Sequence, residues 1–158
     1  MDHKGLWAFD GGRCLQVTEP TRFGQRTGAA AASFRCARCG EVAAVVKAVP
    51  ADVQADMGPP LGSRSHSRDG MVVDYFGGTM WKAAGPGTYA AVQAILDGEE
   101  PDPAELRRID WELAAFYCPE CERNYCHSDW STYVLFDEGF YDCTMGTCPA
   151  GHRHMIDD

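Results

Sequence analysis

The residues of this sequence best placed to do chemistry are its eight cysteines, four of which form two C-x-x-C pairs, Cys36-Ala37-Arg38-Cys39 and Cys118-Pro119-Glu120-Cys121. Two thiolates of a tetrahedral zinc ion must each stand about 2.3 Å from the metal, and a two-residue gap lets one tight turn aim both sulfurs inward. Gly40 follows the first pair and accepts the positive φ such a turn ends on. Pro119 fixes φ early in the second turn. Cys36, Cys39, Cys118 and Cys121 are therefore expected to form a four-cysteine zinc site.

Three more cysteines lie in Tyr125-Cys126-His127 and in Asp142-Cys143-Thr144-Met145-Gly146-Thr147-Cys148-Pro149-Ala150-Gly151-His152. Cys126, Cys143, Cys148 and His152 would make a set of three thiolates and one imidazole, also a regular structural zinc site, so one zinc ion is expected and ligands for a second are available. His154 is a rival to His152, two residues on and on the same side of any strand. His127 is a weaker rival, because neighbouring side chains diverge in extended backbone. Ligand pairing interleaved between two ions, as in RING-type domains, is an alternative that the spacing leaves open. Cys14 stands alone and reads as a small buried hydrophobe.

The segments Phe34-Arg35-Cys36-Ala37-Arg38-Cys39-Gly40 and Tyr117-Cys118-Pro119-Glu120-Cys121 resemble the paired knuckles of zinc-ribbon and zinc-knuckle proteins. The 78 residues between the pairs depart from an ordinary ribbon. That gap costs little, since loop closure rises by only ~0.6 kcal/mol per doubling of length. Well-separated pairs are similar to those of the zinc β-sheet scaffold shared by Yippee proteins and methionine sulfoxide reductase B. Arg123-Asn124-Tyr125-Cys126-His127-Ser128 also resembles the catalytic cysteine segment of the latter family, which implies a thiol-redox alternative through Cys126 or the C-x-x-C pairs. Against it, Cys126 follows Cys121 by only five residues, and the family's histidine-bearing strand is missing.

Other enzyme signatures are absent: no H-x-E stands ahead of P-C-x-x-C, and there is no H-E-x-x-H, G-x-S-x-G or P-loop. A zinc site closed by four cysteines leaves no open position for water. The expectation is a non-enzymatic protein-interaction module with structural zinc; the remaining alternative is a hydrolytic zinc at the second set, with three protein ligands and a water.

The elements that must position these ligands read as α+β: small antiparallel sheets around Cys-rich knuckles, with a two-helix insertion between the C-x-x-C pairs. Residues 1–32 form an irregular or short-stranded lead-in, and residues 33–158 one zinc-binding domain. Within it, residues 50–114 are the insertion and residues 115–158 the Cys-rich C-terminal part. The run from Val42 to Val49 is β-branched and stops at Pro50, as a strand would. Residues 50–70 read as a long loop, in which the alternating Arg64, His66 and Arg68 are expected to be solvated, with contact to a partner as the alternative. Met71 to Phe76 and Thr79 to Lys82 form a hairpin about Gly77-Gly78. Thr88 is placed as the cap of one helix, ended by Gly98. Asp102 as N-cap and Pro103 at the first position open the second helix, with Leu106, Ile109 and Leu113 as its apolar stripe. A strand is expected from Ser131 to Phe136.

Charge and composition set the class. With 158 residues and 45% apolar side chains the chain can bury an ordinary core. Residues 1–98 carry ten Lys/Arg against nine Asp/Glu, whereas residues 99–158 carry four against fourteen. An acidic half repels a phosphate backbone, so nucleic acid is disfavoured and a cationic protein partner is expected. No apolar run is long enough for a membrane span, and none follows a basic start, so the expected location is cytoplasmic. In that reducing compartment eight cysteines favour metal or catalysis over disulfides. Nine aromatics between Trp111 and Tyr141 are expected to surround the metal as core, with an exposed recognition face as the rival.

Overall fold

The computed structural model describes residues 29–56 and 62–158, together with the backbone of two short paired strands, β1 (Ala8–Asp10) and β2 (Arg13–Leu15). Cys14 falls on β2, and its side chain, like most of the lead-in, lies outside the described residues.

The β-branched run forms β4 (Val42–Val49), a central strand of a four-stranded antiparallel sheet. Its neighbours are β3 (Ala30–Arg35) on one side and, on the other, β7 (Gly70–Tyr75) followed by β8 (Gly78–Ala83). Tyr75 pairs with Gly78, so the turn is Phe76-Gly77, one residue earlier than the glycine pair suggests. Gly78 takes φ +121°, a conformation that favours glycine. The expected loop contains a small hairpin of β5 (Ala55–Asp56) and β6 (Ser63–Arg64). His66 stacks on Trp81 with ring centroids 3.9 Å apart, so it packs on the sheet rather than standing in solvent.

Two helices lie between the C-x-x-C pairs. Helix α1 (Pro86–Leu96) starts two residues before Thr88, because Pro86 has its φ preset for the first turn and Gly85 takes the cap position. Helix α2 (Pro103–Ile109) starts where expected, with the Asp102 carboxylate accepting from the Ala104 amide at 2.8 Å. It ends before Leu113. Asp110 leaves helical geometry (φ −157°, ψ 124°) and caps a separate 3-10 turn, Trp111–Ala114, accepting from the Glu112 amide. Lys82 of β8 pairs with Asp110 and Glu112 and ties this turn to the sheet.

The main core lies between sheet and helices. Phe34, Val46, Met71 and Val73 meet Val92, Leu96, Leu106, Leu113 and Phe116, all buried, with Phe34 and Phe116 rings 5.1 Å apart. β9 (Tyr117–Cys118) and β10 (Arg123–Asn124) form a short hairpin. The chain then enters a second antiparallel sheet in the order β11 (Ser131–Asp137), β12 (Phe140–Thr147), β13 (Arg153–Asp157). The Tyr75 hydroxyl donates to the Ile156 carbonyl at 2.9 Å and joins the two sheets. The α+β class is as expected. Among the described residues, no helix is long and apolar enough to cross a membrane.

The aromatics divide between the two roles weighed for them. Phe116, Tyr117, Tyr125 and Trp130 are core; Tyr133, Phe136, Phe140 and Tyr141 are exposed, Phe140 at 78%.

Candidate metal centres

The two C-x-x-C pairs do not meet. Each converges with a different partner from the C-terminal part: Cys118 and Cys121 with Cys148 and His152, and Cys36 and Cys39 with Cys126 and Asp129. Within each group the four ligand atoms lie within 4.8 Å of one another. We call them the histidine cluster and the aspartate cluster.

The hairpin explains the division. β9 and β10 pair Cys118 with Arg123 and Tyr117 with Asn124, which leaves Cys121 in the turn at the tip. The chain has run back past the base before Cys126 is reached, so Cys121 and Cys126 stand at opposite ends of one short ribbon. The first C-x-x-C turn docks at the base, where the Ala37 amide donates to the Asn124 carbonyl at 2.9 Å. It therefore meets Cys126 and not Cys118.

Cys143 joins neither cluster. It is buried on β12 (4% exposed), its thiol 3.7 Å from the Asp142 carboxylate. Cys148 lies five residues on, and extended strand at ~3.4 Å per residue puts the two Cα atoms roughly 17 Å apart. One ion cannot reach both. The expected second set thus divides: Cys148 and His152 complete one cluster, and Cys126 belongs to the other.

The histidine cluster has the dimensions of a zinc site. A tetrahedral ion with Zn–S near 2.3 Å and Zn–N near 2.0 Å requires S···S edges of about 3.8 Å and S···N edges of about 3.5 Å. The Cys118–Cys148 and Cys121–Cys148 sulfurs are 3.7 and 3.6 Å apart. His152 Nδ1 stands 3.6, 3.2 and 3.5 Å from Cys118, Cys121 and Cys148. The loop that carries Cys148 and His152 is closed by reciprocal backbone bonds, Cys148 amide to His152 carbonyl and Gly151 amide to Cys148 carbonyl, both 2.9 Å. Gly151 sits at φ +92°, which the turn requires.

Burial falls on Cys118 and Cys148, while Cys121 and His152 are half-buried. It pushes the Cys118 thiol up to about 12. It also opposes ionisation of Cys148, but backbone hydrogen bonds at His152 and Ala150 outweigh it and bring that thiol down to about 7. His154, the rival ligand, sits outside the quartet, its Nε2 3.4 Å from Cys118 Sγ and 2.9 Å from the Glu120 carboxylate. Burial lowers its imidazole below the ordinary value, against the pull of Glu120. It is placed to orient the Cys118 sulfur from behind, as outer partners of metal ligands do. Cys118, Glu120 and His154 also form a compact trio of their own.

The aspartate cluster is more open and its edges are less even. Asp129 Oδ2 lies 2.9 Å from Cys36 Sγ and 3.6 Å from Cys126 Sγ, and the Cys39 and Cys126 sulfurs are 3.6 Å apart. The Asp129 and Trp130 amides both donate to the Cys126 carbonyl, so residues 126–129 form one turn. That turn is a Cys-x-x-Asp with the same two-residue gap as the C-x-x-C pairs. The spacing could have identified Asp129; it is one of eight acidic residues in the C-terminal part, which hid it. Gly40 adopts φ +78°, as the knuckle predicts, and its amide donates to the Cys36 carbonyl. Cys36 is buried whereas Cys39 is exposed. The amide at Glu41 lowers the Cys39 thiol, and burial raises Cys126 to about 11. His127 belongs to neither cluster; its ring lies against Phe76.

Residues 25–158 match a family model described only as a domain of unknown function, DUF8328. The chain belongs to that family. All eight residues of the two clusters fall inside the DUF8328 match. No curated protein and no solved structure gives a significant match.

Proposed function

We propose that this protein binds two structural zinc ions, one in each cluster, and uses the sheet they anchor to dock a basic protein partner. The zinc assignment rests on the sulfur–sulfur and sulfur–nitrogen edges of the histidine cluster, which match a tetrahedral ion closer than they match hydrogen bonds. Soft thiolates with one imidazole or carboxylate favour zinc over magnesium or calcium. The ligand pairs alternate along the chain: first with third, second with fourth. Each ion then ties the first half of the domain, or the hairpin, to the C-terminal part, and metal binding becomes folding energy. The local turns keep their likeness to zinc knuckles, although the pairing departs from a simple ribbon.

The docking reading rests on β11 and β12. All seven residues of β11 are exposed, and Phe136 (67%) and Phe140 (78%) flank the Glu138-Gly139 turn. An apolar tip that no described residue covers is uncommon unless it meets something. Asp137, Glu138 and Asp142 surround it, which favours a partner with an apolar patch ringed by Lys or Arg.

Native mass spectrometry of the purified protein tests the metal assignment: two zinc ions per chain are expected, and an apo chain with an unchanged near-UV spectrum would refute it. A photoreactive residue in place of Phe140, in host cells, tests the docking. The expected product is one protein with a basic surface, lost when Asp137 and Glu138 become Lys. Cross-links only to a second copy of the chain would refute it.

A thiol-redox reading retains one supporting feature, the exposed Cys39 sulfur 3.6 Å from Cys126. Fast single-site alkylation of the zinc-loaded protein would favour it, and full protection would exclude it.

A further inference from the structure

The aspartate cluster differs from its companion in facing a cleft. A cavity of about 560 Å³ opens beside it, within the range of small-molecule sites, and Cys39, Cys126 and Asp129 all line it. Cys36 closes the buried side. Tyr75, Phe76 and Val42 give the cleft an apolar wall, and Glu41 and Asp74 give it negative charge.

Asp129 is the hard donor among three soft ones. Its two oxygens are engaged differently: Oδ2 turns to the Cys36 and Cys126 sulfurs, while Oδ1 pairs with Arg38 Nη1 at 3.2 Å. A carboxylate that leaves the metal thus already has a cation to receive it. Three thiolates donate enough charge to make the ion soft and a poor activator of water. The entering ligand that suits such an ion is sulfur.

We propose that the aspartate cluster is a ligand-accepting zinc site in which a small neutral or cationic thiol from the cleft replaces Asp129. This inference rests on the two-zinc reading above. In the exchange the Zn–O bond to Asp129 breaks, a Zn–S bond forms, the thiol proton passes to solvent and nothing is oxidised. The carboxylate swings to the Arg38 guanidinium. The charge on the metal set is unchanged, because one anionic ligand replaces another. Glu41 and Asp74 repel an anionic thiol and attract an aminothiol.

The test uses the full chain loaded with cobalt(II), whose sulfur-to-metal charge-transfer bands count thiolates. Titration with cysteamine is expected to raise those bands by the share of one added thiolate; 3-mercaptopropionate should do so only at higher concentration. Asp129→Cys closes the site and should abolish the response. Asp129→Ala removes the competing carboxylate and should lower the apparent Kd for cysteamine roughly tenfold. Arg38→Ala should raise it slightly, and less so at high salt, because Arg38 is exposed. Two bound cobalt ions with no spectral response, or an equal response in Asp129→Cys, would overturn the exchange and leave the two-metal reading intact. A chain that binds a single cobalt ion, lost in Cys121→Ser and kept in Cys39→Ser, would overturn both.

Discussion

The two clusters are built from the same turn chemistry in different surroundings. The histidine cluster has three cysteines and an imidazole at near-ideal edges, Cys118 and Cys148 buried and Cys121 and His152 half-buried, with His154 and Glu120 beside them. The aspartate cluster has three cysteines and a carboxylate, one side buried by Cys36 and the other open to a cleft. Closed zinc sites hold structure, while sites with an exchangeable corner can also take a ligand. The lesson is that ligand count alone does not assign a role; burial and the supporting residues do.

The largest expected effect comes from breaking the closed site. Apparent binding energies of structural zinc, about 10–16 kcal/mol in small zinc domains, are comparable to the whole ~5–15 kcal/mol stability of a domain. Cys148→Ser should therefore abolish cooperative unfolding by near-UV circular dichroism, and Cys39→Ser at the exposed edge of the other cluster should leave a transition at lower temperature. Equal loss in both would erase the distinction between them.

A smaller effect is expected at the bridge between them. Trp130 follows Asp129, and its ring packs edge-on 6.0 Å from His154. Gly146 makes room for this: a Cβ there would stand 2.7 Å from Ile156 and 3.0 Å from the Trp130 ring. Gly146→Ala should cost about 1–3 kcal/mol by denaturant titration, as overpacking does. No loss would mean that the bridge is loosely packed.

The aspartate cluster can next be weakened without being destroyed. Asp129→Asn keeps an oxygen in place but removes its charge, so zinc affinity at that cluster should fall roughly ten- to hundredfold, the scale seen when support for a metal ligand is lost. A zinc-chelator competition read on each site separately measures this, with the histidine cluster unchanged.

The smallest effects compare the knuckles themselves. Gly40 holds φ +78° after Cys39, and Glu122 holds φ +52° after Cys121. A left-handed conformation costs a residue with a Cβ roughly 1 kcal/mol. Gly40→Ala should destabilise by about that amount and Glu122→Gly should stabilise by somewhat less, both by thermal midpoint. Opposite signs would show that the two turns differ in more than this residue.

Much of this was legible from local chemistry. The C-x-x-C spacing marked cysteines that join the two clusters, Gly40 marked its turn, and Asp102 with Pro103 marked the start of α2. Cys148 and His152 were expected together, and the structure brings them together. Which pair meets which was not legible, since it depends on the β9–β10 register, a two-residue ladder that no periodicity announces. Asp129 was missed although Cys126-x-x-Asp129 repeats the knuckle gap, because carboxylates are common in this part of the chain. Cys143 was assigned by residue type alone, and the extended strand between it and Cys148 separates the two.

The most direct test of the interleaved pairing is zinc stoichiometry by native mass spectrometry on Cys39→Ser, Cys121→Ser and the double variant. If Cys36 and Cys39 serve one ion and Cys118 and Cys121 another, each single variant keeps one zinc and the double variant keeps none. If all four serve the same ion, the double variant loses no more zinc than either single one, and the interleaved pairing is wrong.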